Sequence, residues 1–180
     1  MVREHSGQVT SLDWDPKSGA DIKCDILKWD YRALPRDSFD LIWASPDCRY
    51  YSRMQNIHLK GEARELKMQE SDRFVKRVLE IIEYFKPRAW CIENPKTGRL
   101  KDRAVVADLP YVDCDYCMYS DWGYRKQTRL WTNLPLKLKL CNKKCGNMEG
   151  GKHRLQCSGR RRDQLHRIPP RLIRHILTHV

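Results

Sequence analysis

The sequence predicts an α/β fold built on a parallel sheet, and three observations carry that expectation. Short apolar runs alternate with helical stretches over the first three-quarters of the 180 residues. Two of those runs, Phe39–Ala44 and Ala89–Ile92, are nearly continuous in apolar residues, as strands buried on both faces are. Each of the first four candidate strands is also followed by polar residues, and ligands of open α/β sheets bind outside the carboxyl ends of the strands.

Taken in order, the first two strands are Val9–Leu12 and Ala20–Cys24, leading into Asp13-Trp14 and Asp25-Ile26. The third, Phe39–Ala44, runs into Ser45-Pro46-Asp47-Cys48. Residues 53–70 are polar and mixed in charge and carry Gly61, so they read as a long surface excursion, either of the kind that serves as a lid or a plain solvated loop. A helix follows from Asp72 to Phe85, with Phe74, Val75, Val78, Leu79, Ile82 and Phe85 at helical spacing. Ser71 or Asp72 can cap its start, and Pro87 forces its end. The fourth strand, Ala89–Ile92, exits into Glu93-Asn94-Pro95, and the fifth is Tyr111–Met118. From Asn133 the chain turns Cys/Lys/Gly-rich without periodicity, until Pro169-Pro170 opens a short helix, Arg171–Leu177. The division expected is a core over residues 1–135 and a small basic Cys/His-containing segment over 136–180.

Charge divides along the same line. Residues 136–180 hold 12 Lys/Arg against Glu149 and Asp163, so +10 of the net +12 sits there. A cationic tail on a nearly neutral body suits a polyanion, because neutralised phosphates release counterions, with a basic surface kept for solubility as the alternative. No run of 18 apolar residues is present, so no membrane span is expected. The start lacks the apolar stretch of a signal peptide, which places the chain in the cytoplasm or nucleus. Eight cysteines there read as free thiols, metal ligands or catalytic groups rather than a disulfide framework.

Several strand exits have chemistry of their own. An acid with an indole, Asp13-Trp14, suits a nucleoside: the carboxylate accepts from ribose hydroxyls while the ring stacks on the base. Cys48 follows a Ser-Pro turn after a buried strand, which holds a soft nucleophile rigidly at the sheet edge. Glu93 could pass a proton to a pyrimidine that the thiol attacks at C6. Alone, each has a plainer reading, as a structural thiol or a salt-bridged acid. Cys141, Cys145, His153 and Cys157 form a competent tetrahedral zinc set, with ordinary thiols and a DNA-facing His153 as the alternative. Cys114 and Cys117, on a predicted strand, read as core.

In chain order these residues resemble the C5-cytosine DNA methyltransferases, and a compact subgroup of phages and large DNA viruses in particular. Ser45-Pro46-Asp47-Cys48, with Ser52 four residues on, resembles that family's Pro-Cys nucleophile motif. Ile92-Glu93-Asn94-Pro95 resembles its Glu-Asn motif, and Asp13-Trp14 and Asp25-Ile26 resemble the pairs that hold S-adenosylmethionine. The stretch Tyr124–Trp131 resembles its Gln-x-Arg-x-Arg strand. The resemblance covers residues 9–133 and implies a Rossmann-like class I methyltransferase sheet. It further implies methyl transfer from S-adenosylmethionine to C5 of a cytosine flipped out of double-stranded DNA, by a monomer. Cys48, Glu93 and Arg129 would be catalytic; Asp13, Trp14, Asp25, Ile26 and Pro46 would hold the cofactor. Ser52, Asn94, Arg125, Lys126 and Gln127 would face the DNA, and residues 53–70 would close over the base.

The sequence departs from the family in four places. The glycine-rich loop and first strand would lie upstream of Asp13, where only 12 residues stand, through truncation or degeneration. Asp47 replaces the second proline beside the nucleophile, a carboxylate that raises the thiol pKa unless Arg49 offsets it. Gln127 stands at the first motif arginine, and only 34 residues separate Asn133 from Ile168, too few for a large target-recognition region. A catalytically impaired nucleic-acid-binding relative is therefore the competing expectation.

Overall fold

The computed structural model describes residues 7–52, 60–157 and 162–180. The fold is mixed α/β. A four-stranded sheet takes the order β3-β4-β6-β5, from Leu41–Ala44, Ala89–Pro95, Gln127–Thr132 and Tyr111–Asp115. A small parallel pair, β1 (Leu12–Asp13) and β2 (Ile22–Lys23), precedes it. A hairpin of β7 (Met148–Glu149) and β8 (Lys152–His153) follows.

The parallel sheet expected from the alternation is corrected to a mixed one. β3 and β4 are parallel, as their apolar runs indicated, but β6 pairs antiparallel with both β4 and β5. The reason is the connection: β5 reaches β6 through residues 116–126 without an α-helix, and a parallel crossover needs a longer link, usually α-helical. The fifth strand accordingly stops at Asp115, and Tyr116–Met118 form a 3-10 turn. The first two strands shrink to two residues each.

The sheet is covered on both faces. Ile92 and Trp131 pack with Val75 and Val78 of α1 (Gly61–Phe85), while Cys91 and Leu130 pack with Leu172 and Ile176 of α3 (Pro170–Leu177). A five-residue helix, α2 (Arg162–His166), precedes α3. Helix α3 therefore packs into the same core as the central strands, although it belongs to the basic end of the sequence.

Helix α1 begins ten residues before the expected cap, so 61–70 is helix rather than loop; residues 53–59 of that excursion lie outside the described residues. The early turns were hidden because polar contacts hold much of them. Arg103 donates to Asp72 at 2.7 Å and to Glu65 at 2.7 Å, and the buried Arg64 donates to the Ser52 carbonyl at 3.1 Å. Ser71 returns its hydroxyl to the Lys67 carbonyl instead of capping. The helix ends before Pro87, as expected, with Lys86 left-handed at φ 47. No helix among the described residues is long and apolar enough to cross a membrane.

Because Leu172 is fully buried against the sheet, Leu172→Ala should destabilise the whole domain by about 2–5 kcal/mol. Urea unfolding checks this; an unchanged midpoint would detach α3 from the core.

Candidate active site

Parallel pairing of β3 with β4 brings their carboxyl ends to one edge of the sheet, and antiparallel β6 starts at that same edge. Three chain segments therefore converge there: the loop carrying Cys48, the Glu93-Asn94-Pro95 end of β4, and Arg125–Gln127 entering β6.

The Cys48 loop is fixed from several sides. The fully buried Asn94 donates its amide to the Pro46 carbonyl at 3.0 Å. The Asp47 carboxylate accepts the Arg49 amide at 2.8 Å, and the Tyr51 amide closes a turn onto the Cys48 carbonyl at 3.1 Å. Tyr51 itself is fully buried, donates its hydroxyl to Asp72 at 2.8 Å and accepts the Arg99 amide on its carbonyl at 2.9 Å. The loop of the nucleophile candidate thus hangs between the sheet and α1 by hydrogen bonds made through its backbone and its neighbours.

Burial pushes the Cys48 thiol up from its usual range; Asp47 and then Glu93 push the same way, and Lys126 opposes. Asp47 acts as its position implied, but the opposing cation is Lys126 rather than Arg49.

Glu93 is 6% exposed and packs its carboxylate against two donors. Lys126 Nζ lies 3.1 Å and Tyr116 Oη 3.2 Å from the same oxygen, Oε1. Lys126 is held in turn by the Leu165 carbonyl at 2.9 Å and by the Tyr116 ring, 4.8 Å from its centroid.

Arg129 is not brought to this carboxylate. Glu93 pairs across the sheet with Leu130, and neighbours along a strand point to opposite faces, so Arg129 lies on the other side. There it donates to Asp113 at 2.8 and 3.1 Å, beside Lys96, and lies 3.6 Å from the Tyr111 ring centroid. Arg125 likewise is committed to the buried Asp115, at 3.0 and 2.9 Å. Gln127 is half-buried in β6, with its carbonyl accepting the Lys96 amide at 3.0 Å. The Ser52 carbonyl takes the bond from Arg64. Tyr51, inside the Cys48 stretch, and Tyr116, inside the expected fifth strand, were given no role from the sequence, because their partners Asp72 and Glu93 are distant in it.

The nucleoside-binding candidates cluster on the small sheet. Asp13 closes β1 and Asp25 lies just beyond β2, and these strands are adjacent and parallel. One oxygen of each carboxylate accepts a local backbone amide, from Asp15 and Leu27. Trp14 is 75% exposed, an indole face left to solvent. Ile26 packs partly against the core residues of α1.

A second constellation lies beyond β5. Cys117, Cys141, Cys145 and His153 place their ligand atoms within 4.8 Å of one another. Three of the four residues expected to bind metal come together, and Cys117 joins them. Cys157 instead donates its thiol to the Arg125 carbonyl at 3.0 Å. Cys114 is buried in the core, as expected.

No family model matches the chain. A curated protein of Frog virus 3 (isolate Goorha), named "Probable DNA (cytosine-5)-methyltransferase", is 36% identical over an alignment 184 positions long, covering 88% of this chain and 84% of that protein.

The buried setting of Cys48 predicts an alkylation rate that rises with pH through an apparent pKa above that of an ordinary thiol. Asp47→Asn should lower that midpoint and Lys126→Met should raise it, followed by mass spectrometry of the Cys48 peptide. A midpoint at or below the ordinary value contradicts the burial described.

Proposed function

The chain belongs to the DNA (cytosine-5)-methyltransferase family, and on that premise we propose that it methylates C5 of a cytosine flipped out of double-stranded DNA, through a covalent adduct on Cys48. The observation that carries this reading is the convergence of Cys48, Glu93 and Lys126 at one strand edge, where sulfur, carboxyl and ammonium interact electrostatically.

Each residue then has a task. Cys48 Sγ adds to C6 of the flipped base as its proton passes to solvent and N3 takes up a proton by way of the Glu93 carboxyl, so the ring stays neutral; N3 gives that proton back when the addition is reversed. Glu93 bonds N3 and the exocyclic amine through Oε2, since Lys126 and Tyr116 occupy Oε1. Lys126 steadies that carboxyl and, as the cation opposing the upward shift of Cys48, favours the thiolate at the moment of attack. Loss of the C5 proton to solvent reverses the addition and frees Cys48.

The methyl group comes from S-adenosylmethionine when that cofactor is bound. The residues present fit its nucleoside half: Trp14 offers an exposed ring for the adenine, and Asp13 and Asp25 offer carboxylates at adjacent strand ends for ribose hydroxyls and base edge. The arrangement is in keeping with a Rossmann-like class I methyltransferase sheet, supported by parallel β3 and β4 and by polar residues at their carboxyl ends. Phosphate contacts fall to the basic segment, where Lys143 and Lys152 line an open groove with His153.

Incubation with S-adenosylmethionine and a duplex containing 5-fluorocytosine should give a denaturation-resistant adduct, because fluorine cannot leave C5 as a proton does. Cys48→Ser should abolish it. Binding of the duplex without an adduct overturns the reading in favour of a nucleic-acid-binding relative, and an adduct in Cys48→Ser reassigns the nucleophile.

A further inference from the structure

We propose that Cys117, Cys141, Cys145 and His153 hold one structural zinc ion that ties the basic C-terminal segment to the end of β5. Four protein ligands with no open position describe a structural rather than a catalytic site.

The spacing of the ligand atoms fits a metal better than it fits thiols merely packed together. With Zn–S bonds of about 2.3 Å and Zn–N of about 2.0–2.1 Å, the edges of a tetrahedral site are about 3.8 Å between sulfurs and about 3.5 Å between sulfur and nitrogen. Here Cys141 Sγ and Cys145 Sγ are 3.6 Å apart, and His153 Nε2 lies 3.5 Å from the first and 3.3 Å from the second. One ring nitrogen thus points at two sulfurs, with Cys117 closing the set within 4.8 Å.

The surroundings suit thiolates. The Lys143 amide donates to Cys141 Sγ at 3.3 Å from a left-handed turn residue, φ 65, inside the Cys141–Cys145 loop. The Asn147 amide donates to Cys145. Such outer bonds orient metal-bound sulfur. Binding releases three thiol protons to solvent and leaves one net negative charge, with no change of oxidation state. Arg125 lies within electrostatic reach of Cys141 and Cys117, and Lys143 of His153.

A metal also answers a shortage of core. Between residues 142 and 157, Asn147 alone among the described residues is buried, and it is an amide that bonds the carbonyls of Cys117 and Ser120. The β7–β8 hairpin turns through Gly150 and Gly151, both at positive φ, which returns His153 toward the two cysteines. The Cys141 amide then donates to Asp115 at 2.7 Å, and Asp115 holds Arg125, the residue before Lys126. The ion would therefore brace the stretch that delivers Lys126 to Glu93.

Metal analysis of the full chain, purified without added zinc, should find close to one zinc per chain. Cobalt substitution should give the intense visible bands of a tetrahedral site with sulfur-to-cobalt charge transfer matching three thiolates. Cys157→Ser should keep the metal, whereas Cys117→Ser should lose at least about tenfold in retention against a chelator. If Cys117→Ser fails to fold, the thiolate count of the cobalt spectrum decides between three sulfurs and fewer. A zinc-free chain whose cluster thiols stay reactive after zinc is added overturns the site. So does a Cys141–Cys145 disulfide, or loss of metal from Cys157→Ser alone.

Discussion

A carboxylate that is 6% exposed must find compensation, because an ion taken out of water without a partner costs several kcal/mol. Glu93 finds it in Lys126 and Tyr116, and much of the structure follows from bringing those residues there. Lys126 arrives because β6 enters the sheet antiparallel at the carboxyl edge of β4. Tyr116 arrives because β5 breaks into a 3-10 turn after Asp115. The C-terminal segment is drawn in as well, since the Leu165 carbonyl accepts the same ammonium. Removing Lys126 alone leaves Glu93 with an uncompensated buried charge that the Tyr116 hydroxyl only partly offsets.

The Cys48 loop depends on this frame at one remove. Asn94, next to Glu93, holds the Pro46 carbonyl, and Tyr51 runs from the Cys48 loop to Asp72 on α1. Asp72 is in turn clamped by Arg103, so the loop is braced by the helix as well as by the sheet. The thiol that results is placed but unready, because burial and two carboxylates favour its protonated form. A thiol held in that form reacts slowly with solvent oxidants.

Much of this was legible in the sequence wherever local chemistry and fold agree. The apolar runs before Cys48 and Glu93 marked β3 and β4, and the polar exits marked the edge where the site lies. What escaped depended on register and on contacts distant in sequence. Arg129 and Lys126 differ by an odd number of residues, and only the pairing of Glu93 with Leu130 tells which of them shares its face. Cys117 read as a core residue because a strand was expected through Met118; the 3-10 turn redirects it to Cys141, Cys145 and His153. The first turns of α1 were missed because ion pairs to Arg103 supplement the apolar periodicity that normally reveals a helix.

Lys126 is proposed as the cation that works with Glu93, while Arg129 pairs with Asp113 on the other face. A double-mutant cycle on the single-turnover rate of 5-methylcytosine formation tests it directly, using Glu93→Gln with Lys126→Met and, separately, with Arg129→Met. The account predicts coupling of about 0.5–3 kcal/mol for the first pair and near-additive effects for the second. Additive effects at Lys126 with strong coupling at Arg129 would contradict it.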